Sequence, residues 1–151
     1  MASPVLVVEP SRTRDIHDML DAGLRPADMR ELDALRVEPF TALIRGLSTS
    51  DRCMTVVVDG YAAAMFGVAP AKVGLGIGHP WLLGTSRLDT IRIPFIRRAP
   101  GILLEISKGY RLLANCVHED NELHIRWLRS LDFTFLGRRG PFIEFLRFVH
   151  V

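Results

Sequence analysis

The stretch Asn115–Phe135, NCVHEDNELHIRWLRSLDFTF, decides the fold of this chain. It starts within an apolar run, Leu112–Val117, which predicts a β-strand. An acidic turn follows, and Asp120 or Asn121 stands where a side chain can cap the start of a helix. Apolar residues then recur at three- and four-residue spacing, which predicts one buried helix face: Leu123, Trp127, Leu128 and Leu131. Phe133 leads into a second strand, so the stretch predicts a strand–helix–strand unit.

Composition limits the class of protein. The chain has 151 residues, of which 48% are hydrophobic and 24% charged, and we expect a single domain over residues 1–151 with a substantial core. The net charge of +2 is too small to indicate nucleic-acid binding by itself. No signal-peptide pattern and no uncharged apolar run of bilayer length occurs, so we expect a soluble protein. Cys53 and Cys116 lack the spacing of a disulfide framework, which fits a reducing compartment.

Three helices are predicted in the first third of the chain, after a short apolar run at 5–8. The first helix should stop at Gly23, and Pro26 and Pro39 each suit the first turn of a further helix. The residues expected to face inward are Ile16, Met19 and Leu20 in the first helix, Met29, Leu32 and Leu35 in the second, and Phe40, Leu43, Ile44 and Leu47 in the third.

A β-hairpin is the clearest local prediction. Met54–Val58 and Tyr61–Val68 flank the pair Asp59-Gly60, which favours a type I′ turn. Both strands are apolar on both faces, so we expect the hairpin to be central and covered by helices. The glycine-rich segment 70–80 predicts a flexible loop, and Trp81–Leu83 predicts a further short strand.

Helix and strand continue to alternate in the second half. Ser86 with Asp89 predicts a capping box at the start of a helix. Pro94 is expected to kink or divide this helix, and Pro100–Gly101 to break it again. A final apolar run, Phe142–Val149, predicts the last strand.

The element order and the strand–helix–strand unit resemble those of the GNAT superfamily of acyltransferases, in which an Asn, a helix and a Gly-Phe exit recur. This chain has Asp132 in place of that Gly, before Phe133. Four phrases are similar, more particularly, to the small GNAT-like proteins of short-tailed phages, the internal virion protein A type: AMFGVAP (64–70), PWLLGT (80–85), IRIPFIRR (91–98) and IRWLRSLDFTF (125–135). The resemblance implies an α/β fold with a mixed, mostly antiparallel sheet and helices on both faces.

For a GNAT enzyme, the resemblance implies that backbone amides of a Gln/Arg-x-x-Gly-x-Gly/Ala loop after the fourth strand bind the pyrophosphate of acetyl-CoA. The equivalent segment here, Gly84–Asp89, has one glycine before the turn and none after it. Arg87 could contact an anion, but Asp89 would repel it, so a capped structural helix is the favoured interpretation. GLGIGHP (74–80) precedes a strand instead of a helix, so its glycines are expected to provide flexibility.

The same resemblance implies a proton donor and a general base, and neither is found in place. The donor is usually a Tyr seven residues after the Asn that opens the helix, where this chain has Leu128. Trp81–Thr85, on the expected fourth strand, has no carboxylate. His79, His118 and Glu119 are alternatives near the expected cleft, although each is more simply interpreted as a solvent-facing loop residue. We therefore assign no catalytic residue.

Other site types are weaker. Arginines cluster in three groups, of which Arg92, Arg97 and Arg98 form the first; solvated helix faces are the main interpretation, and a surface for an acidic protein or packaged DNA is the alternative. The sequence has no His-x-x-x-His pair and no Cys-Cys-His cluster, so no metal site is predicted.

The sequence thus favours a non-catalytic GNAT-fold virion or assembly protein without a cofactor, acting on other virion proteins in the internal core or tail region during genome ejection. We expect it in the virion or the host cytoplasm. The alternative is an acetyl-CoA-dependent N-acetyltransferase with an atypical site, its cofactor bound by Leu83, Gly84 and Asn121. A second alternative is a nucleic-acid-associated module that uses the first arginine group.

Overall fold

A computed structural model describes residues 4–71 and 75–149. Seven strands form one sheet in the order β1-β2-β3-β4-β5-β7-β6. The strands are β1 Leu6–Pro10, β2 Arg52–Val58, β3 Tyr61–Pro70, β4 Ile77–Gly84, β5 Leu112–His118, β6 Thr134–Arg139 and β7 Phe142–Phe148. The helices are α1 Thr13–Ala22, α2 Pro26–Leu35, α3 Pro39–Thr49, α4 Arg92–Ile106 and α5 Glu122–Ser130, with a 3₁₀ helix at Ser86–Ile91.

The sheet is mixed and mostly antiparallel, with helices on both faces, which confirms the predicted fold class. Every neighbouring pair of strands is antiparallel except β4 and β5. The parallel pairing joins only Ile77 to Leu112 and Gly78 to Leu113. Beyond these residues β4 and β5 diverge, and the divergence opens the middle of the sheet.

The predicted hairpin is confirmed. Asp59 and Gly60 have φ values of 50° and 86°, the left-handed region that both central residues of a type I′ turn require. β3 is buried along most of its length, so the hairpin lies inside the sheet with helices over it.

Two hydrophobic clusters hold the helices to the sheet. One joins α1, α2 and α3 to β3 and β4 through Ile16, Met19, Leu32, Leu43, Ala62, Met65 and Leu83. The other joins α4, α5 and the 3₁₀ helix to the sheet and includes Phe66, Leu88, Ile91, Phe95, Leu103, Trp127, Phe133 and Phe145. Together they supply the apolar burial that holds the helices against the sheet.

The predicted loop at 70–80 is wrong over its second half. β4 begins at Ile77, so Gly78, His79 and Pro80 pair with the end of β3 instead of forming a loop. Backbone pairing with a buried strand outweighs the weak strand preference of these residues. Gly78 also has a packing reason, because a Cβ there would lie 2.9 Å from Tyr110 Cδ1. Gly74 lies outside the described residues.

Two predictions around α4 are also wrong. The helix runs unbroken through Pro100 and Gly101, because buried Phe95, Leu103 and Ile106 fix one face of it along its whole length. The division falls before Pro94, where the 3₁₀ helix passes into α4. The residue that caps the 3₁₀ helix is Thr85 and not Ser86, since Thr85 Oγ1 accepts a hydrogen bond from Arg87 N at 3.3 Å.

The inward faces of α2 and α3 also differ from expectation. Leu35 is 52% exposed and Phe40 is 48% exposed. The buried face of α2 is instead made by Asp28 and Leu32, so a carboxylate occupies a position that an apolar side chain would normally fill. Among the described residues, no helix has the length and apolar character needed to cross a bilayer.

Candidate functional site

A cavity of about 430 Å³ lies where β4 and β5 diverge, and we call it the cleft. Its walls are mostly apolar. β4 contributes Pro80, Trp81, Leu82 and Leu83, β5 contributes Asn115, Cys116 and Val117, and the helices add Leu32, Ala42, Gly46, Phe95, Ala99, Trp127 and Leu128 among others. Asn115 Nδ2 donates to Pro80 O at 2.9 Å and so ties the two diverging strands together. Glu31 and His124 bring ionisable groups to the cleft wall.

A buried polar cluster sits at one end of the cleft, and we call it the Asp28 cluster: Arg25, Asp28, Glu31, Asn121 and His124. Asp28 is fully buried and is its centre. Its Oδ2 accepts a hydrogen bond from Gly84 N at 2.9 Å, and its Oδ1 accepts one from Asn121 Nδ2 at 3.0 Å. One carboxylate therefore joins the end of β4 to the start of α5.

Arg25 balances the charge of Asp28. Its Nη1 lies 3.3 Å from Asp28 Oδ2 and 3.3 Å from His124 Nε2. Its backbone N donates to Gly84 O at 2.8 Å, so the α1–α2 connection lies directly against the end of β4. Asp89, which is half exposed, is a second carboxylate near this guanidinium, with its Oδ1 4.0 Å from Nε. The ion pair compensates the cost of burying the Asp28 charge.

His124 is held as a neutral imidazole. Burial lowers its pKa, the nearby Asp28 carboxylate opposes this, and Arg25 lowers it further. Asn121 Nδ2 approaches His124 Nδ1 at 3.1 Å, and His124 Nε2 lies 3.5 Å from Asp28 Oδ1. The Oδ1 atom of Asn121 is buried and has no hydrogen-bond partner among the described residues. An unpaired buried acceptor of this kind calls for a physical explanation.

Glu31 faces the cleft with an unusual carboxyl group. Its pKa is raised from 4.5 to about 7. Burial is the main cause and the Asp28 charge adds to it, while the hydrogen bond from His118 N acts in the opposite direction. The His118 amide donates to Glu31 Oε1 at 2.7 Å, which fixes the carboxyl at the end of β5. Near neutral pH this group takes up and releases protons beside an apolar cavity. Burial also raises the pKa of the Cys116 thiol on the same wall, with Glu31 adding to the effect.

The segment after β4 does not fit the pyrophosphate of acetyl-CoA. Four of the five amides from Gly84, the last residue of β4, to Leu88 already donate within the chain. Gly84 N donates to Asp28, Thr85 N to Ala63 O, Arg87 N to Thr85 Oγ1 and Leu88 N to Thr85 O. Arg87 is also engaged, because its Nη1 lies 2.9 Å from Ala62 O and 3.3 Å from Asp18 Oδ1. Most of the amides that would have to bind phosphate, four of the five from Gly84 to Leu88, are therefore already hydrogen-bonded within the chain.

The three residues predicted to hold a cofactor are not brought together around the cleft. Leu83 is buried and lines the cleft. Gly84 and Asn121 do meet, but through Asp28. Asn121 stands at the N-cap position of α5, yet its side chain makes no cap hydrogen bond. The prediction that the Asn121 side chain caps this helix is therefore wrong. The amide is drawn instead to Asp28 and His124.

The alternative site residues are scattered. His79 is exposed, and its Nδ1 lies 2.7 Å from Ala114 O. His118 is buried at the end of β5 and contributes its backbone amide to Glu31. Glu119 forms an ion pair with Arg138 at the surface. Leu128 lines the cleft at the position where the resemblance places a proton donor.

The sequence analysis missed Arg25, Asp28, Glu31 and His124. Two pairs carried a detectable pattern: Asp28 with Glu31 on α2, and Asn121 with His124 at the start of α5. Each pair is separated by three residues, which places both side chains on one helix face. In each case that face also carries buried apolar side chains, so polar residues at helical spacing within an apolar stripe were the available indication.

No protein-family model matches the sequence, and no curated protein matches it. Solved structures match over nearly the whole chain. The GNAT domain of S. lividans PAT has a TM-score of 0.71 at 12% identity and covers 96% of each chain. PH1933 from Pyrococcus horikoshii OT3 has a TM-score of 0.73 at 11% identity, covering 97% of this chain and 100% of that one.

The chain has the GNAT fold. A spermidine N-acetyltransferase from Vibrio cholerae, solved in complex with CoA and spermine, is similar at a TM-score of 0.67 and 11% identity over 95% of both chains. At such identities the likeness establishes the fold and leaves the activity of this chain to its own residues. The virion role stays a prediction, since these structures do not bear on it.

Proposed function

We propose that this chain is a GNAT-fold binding protein whose cleft takes an apolar ligand, without acetyl-CoA bound at the segment after β4. One observation carries the proposal. The cleft is open and mostly apolar, while four of the five Gly84–Leu88 amides that would hold a nucleotide pyrophosphate are bonded within the chain. A cavity of about 430 Å³ is within the range of small-molecule sites, and it is large enough to bury an apolar group of a ligand.

The polar groups of the cleft define one end of the ligand. Glu31, whose pKa is raised to about 7 mainly by burial, and His124, whose pKa burial lowers, are the members of the Asp28 cluster that line the cavity. Most of the remaining wall is apolar and includes Phe95, Ala99 and Trp127. A ligand with an apolar body and one hydrogen-bonding or basic head matches this distribution.

Fluorescence titration with 8-anilinonaphthalene-1-sulfonate tests the cleft, with and without acetyl-CoA. We expect saturable binding of the dye that Ala99→Phe abolishes by filling the cavity. Ala34→Phe places the same ring on an exposed site of α2 and should leave binding unchanged. Acetyl-CoA should neither displace the dye nor raise the melting temperature. Saturable stabilisation by acetyl-CoA would contradict the proposal.

The biological partner is proposed on the resemblance to small phage proteins, which supports a virion component that contacts other virion proteins. The exposed face of α4 suits a protein partner better than DNA, because Ile93 and Leu104 are 65% and 62% exposed beside Arg97 and Arg98. Mass spectrometry of purified particles would detect the chain. Retention on duplex DNA that rises at low salt and is lost in Arg97→Ala/Arg98→Ala would favour the nucleic-acid alternative.

A second candidate, N-acyl transfer, is favoured by Glu31. A carboxylate that titrates near pH 7 in an apolar cavity is suited to remove a proton from an amine as it attacks an acyl thioester. Thiol release from acyl thioesters in the presence of primary amines measures this activity. Glu31→Gln should abolish it, while Glu122→Gln, on the exposed side of α5, should not. An activity unaffected by Glu31→Gln would exclude Glu31 as the base.

A further inference from the structure

We propose that the Asp28 cluster binds a divalent transition-metal ion through Asp28, Glu31 and His124. The three ligand atoms lie within 4.8 Å of one another. They come from two helices: Asp28 and Glu31 are three residues apart on α2, and His124 faces them from α5. Two carboxylates and one imidazole form a ligand set used for zinc and neighbouring metals.

The spacing of two of these atoms is close to that around a bound ion. His124 Nε2 lies 3.5 Å from Asp28 Oδ1. Two ligands held at about 2.0–2.1 Å from one tetrahedral zinc ion are separated by roughly 3.3 Å, so these two atoms need move little. Glu31 must approach further, and its position on the cleft wall, only partly buried, leaves it room to do so.

The unpaired oxygen of Asn121 is the independent observation. Asn121 is fully buried, and its Nδ2 touches both Asp28 and His124 while its Oδ1 has no partner among the described residues. If the metal binds His124 Nε2, the ring hydrogen must reside on Nδ1. A half-turn of the Asn121 amide then puts Oδ1 where Nδ2 lies, so that Oδ1 accepts that hydrogen. The turn breaks the hydrogen bond from Nδ2 to Asp28, and the bound cation offsets both this loss and the approach of Oδ1 to the carboxylate. The orphan acceptor thus becomes the group that orients the metal-binding histidine.

A positive charge already stands between two of the ligands. Arg25 Nη1 lies 3.3 Å from Asp28 Oδ2 and 3.3 Å from His124 Nε2. A metal ion would have to displace this guanidinium, and Asp89, 4.0 Å from Arg25 Nε, is a carboxylate to which it can turn. Arg25 therefore competes with the metal, so removal of the Arg25 charge should strengthen metal binding.

The remaining coordination position would face the cleft. Glu31 and His124 both line the cavity, so the ion would lie at the cavity wall with one side toward the space. Three protein ligands and one open position is the arrangement of a zinc ion that binds a further molecule. A cleft ligand with a donor atom at its polar end would complete the sphere.

Isothermal titration of EDTA-stripped protein with ZnCl₂, and visible absorption with CoCl₂, test the site. We expect saturable binding of one ion, and cobalt absorption bands of low-symmetry nitrogen and oxygen coordination. Glu31→Gln and His124→Gln should each weaken zinc binding ~10-fold or more. Arg25→Met should tighten it ~10-fold or more, because the competing cation is gone.

Matched controls place the ion. Glu122→Gln and His79→Gln remove an exposed carboxylate and an exposed imidazole and should leave the affinity unchanged. Circular dichroism establishes that each variant is folded; if His124→Gln is not, the opposite effects of Glu31→Gln and Arg25→Met decide alone. The proposal is overturned if neither the unmodified protein nor Arg25→Met binds zinc saturably. Equal zinc affinity in Glu31→Gln and the unmodified protein would also overturn it.

Discussion

Asp28 accepts a hydrogen bond from the backbone amide of Gly84, and this contact links α2 to the end of β4. The same carboxylate accepts from Asn121 at the start of α5 and pairs with Arg25. Three parts of the chain that are far apart in sequence therefore meet on one buried group. The contact also occupies the Gly84 amide, which therefore cannot donate to a ligand while the contact is in place.

Asp28→Ala should destabilise the protein by about 3 kcal/mol, because it leaves the Gly84 amide buried without a partner and the Arg25 charge with only the more distant Asp89. Urea denaturation followed by circular dichroism measures the free energy of unfolding. Asp33→Ala removes an exposed carboxylate from the same helix and should change it by less than about 0.5 kcal/mol. Equal effects of the two substitutions would show that the Asp28 contacts contribute little.

The fold was largely predictable from the sequence because its determinants are local. The Asp59-Gly60 turn needs positive φ at both residues, and Gly and Asp tolerate it. The strand–helix–strand unit around Trp127 is carried by apolar residues at helical spacing. Where prediction failed, tertiary packing decided: β3 draws Gly78, His79 and Pro80 into a strand, and buried side chains hold α4 together across Pro100.

The candidate site was not predictable in the same way. Arg25, Asp28 and Glu31 precede His124 by more than ninety residues, and only the folded chain brings them together. A single sequence shows Asp28 and Glu31 as polar residues at helical spacing on an amphipathic helix, a pattern that does not by itself show that Asp28 is buried. The raised pKa of Glu31 likewise depends on burial, which spacing along the chain does not reveal.

Glu31→Gln should stabilise the protein at alkaline pH and not in acid. The folded pKa of Glu31 is raised from 4.5 to about 7, so the folded state binds the proton more tightly than the unfolded state. Its contribution is fully present below pH 4.5 and is lost as the pH rises through about 7. The difference in unfolding free energy between the two proteins should therefore grow to about 3 kcal/mol by about pH 8.

Urea denaturation of both proteins across this pH range measures the effect. Taking the difference between them cancels the acid titration of His124, whose pKa burial lowers. The Gln side chain retains an oxygen for the His118 amide, so that hydrogen bond is matched. A difference that does not vary with pH would contradict the raised pKa of Glu31.

Gly46→Ala and Gly101→Ala should have opposite effects, although both replace a glycine within a helix. A Cβ at Gly46 would lie 2.7 Å from Trp81 Cη2 and 2.9 Å from Trp81 Cε2, so the ring must shift. A Cβ at Gly101 meets no atom within 4 Å among the described residues. We expect Gly46→Ala to destabilise by about 1–3 kcal/mol and Gly101→Ala to stabilise by about 0.5–1 kcal/mol.

Thermal unfolding measures both glycine variants. The fluorescence of Trp81 also reports on Gly46→Ala, because the ring lines the cleft and donates from Nε1 to Ser50 Oγ at 2.8 Å. Destabilisation by both substitutions would point to the backbone of the two helices, and not to contact with Trp81, as the reason for glycine.

Leu128→Tyr should not produce acetyl transfer. It restores a hydroxyl where the resemblance to GNAT enzymes places a proton donor, and Leu128 does line the cleft. Four of the five Gly84–Leu88 amides remain bonded within the chain, so we expect the nucleotide end of acetyl-CoA not to bind at this segment. Thiol release from acetyl-CoA with amine acceptors measures the outcome, and Leu131→Tyr, which also lines the cleft, controls for the added ring. A gain of activity specific to Leu128→Tyr would mean that the chain lacked only the proton donor. It would also mean that the Gly84–Leu88 amides can give up their hydrogen bonds within the chain to bind the cofactor.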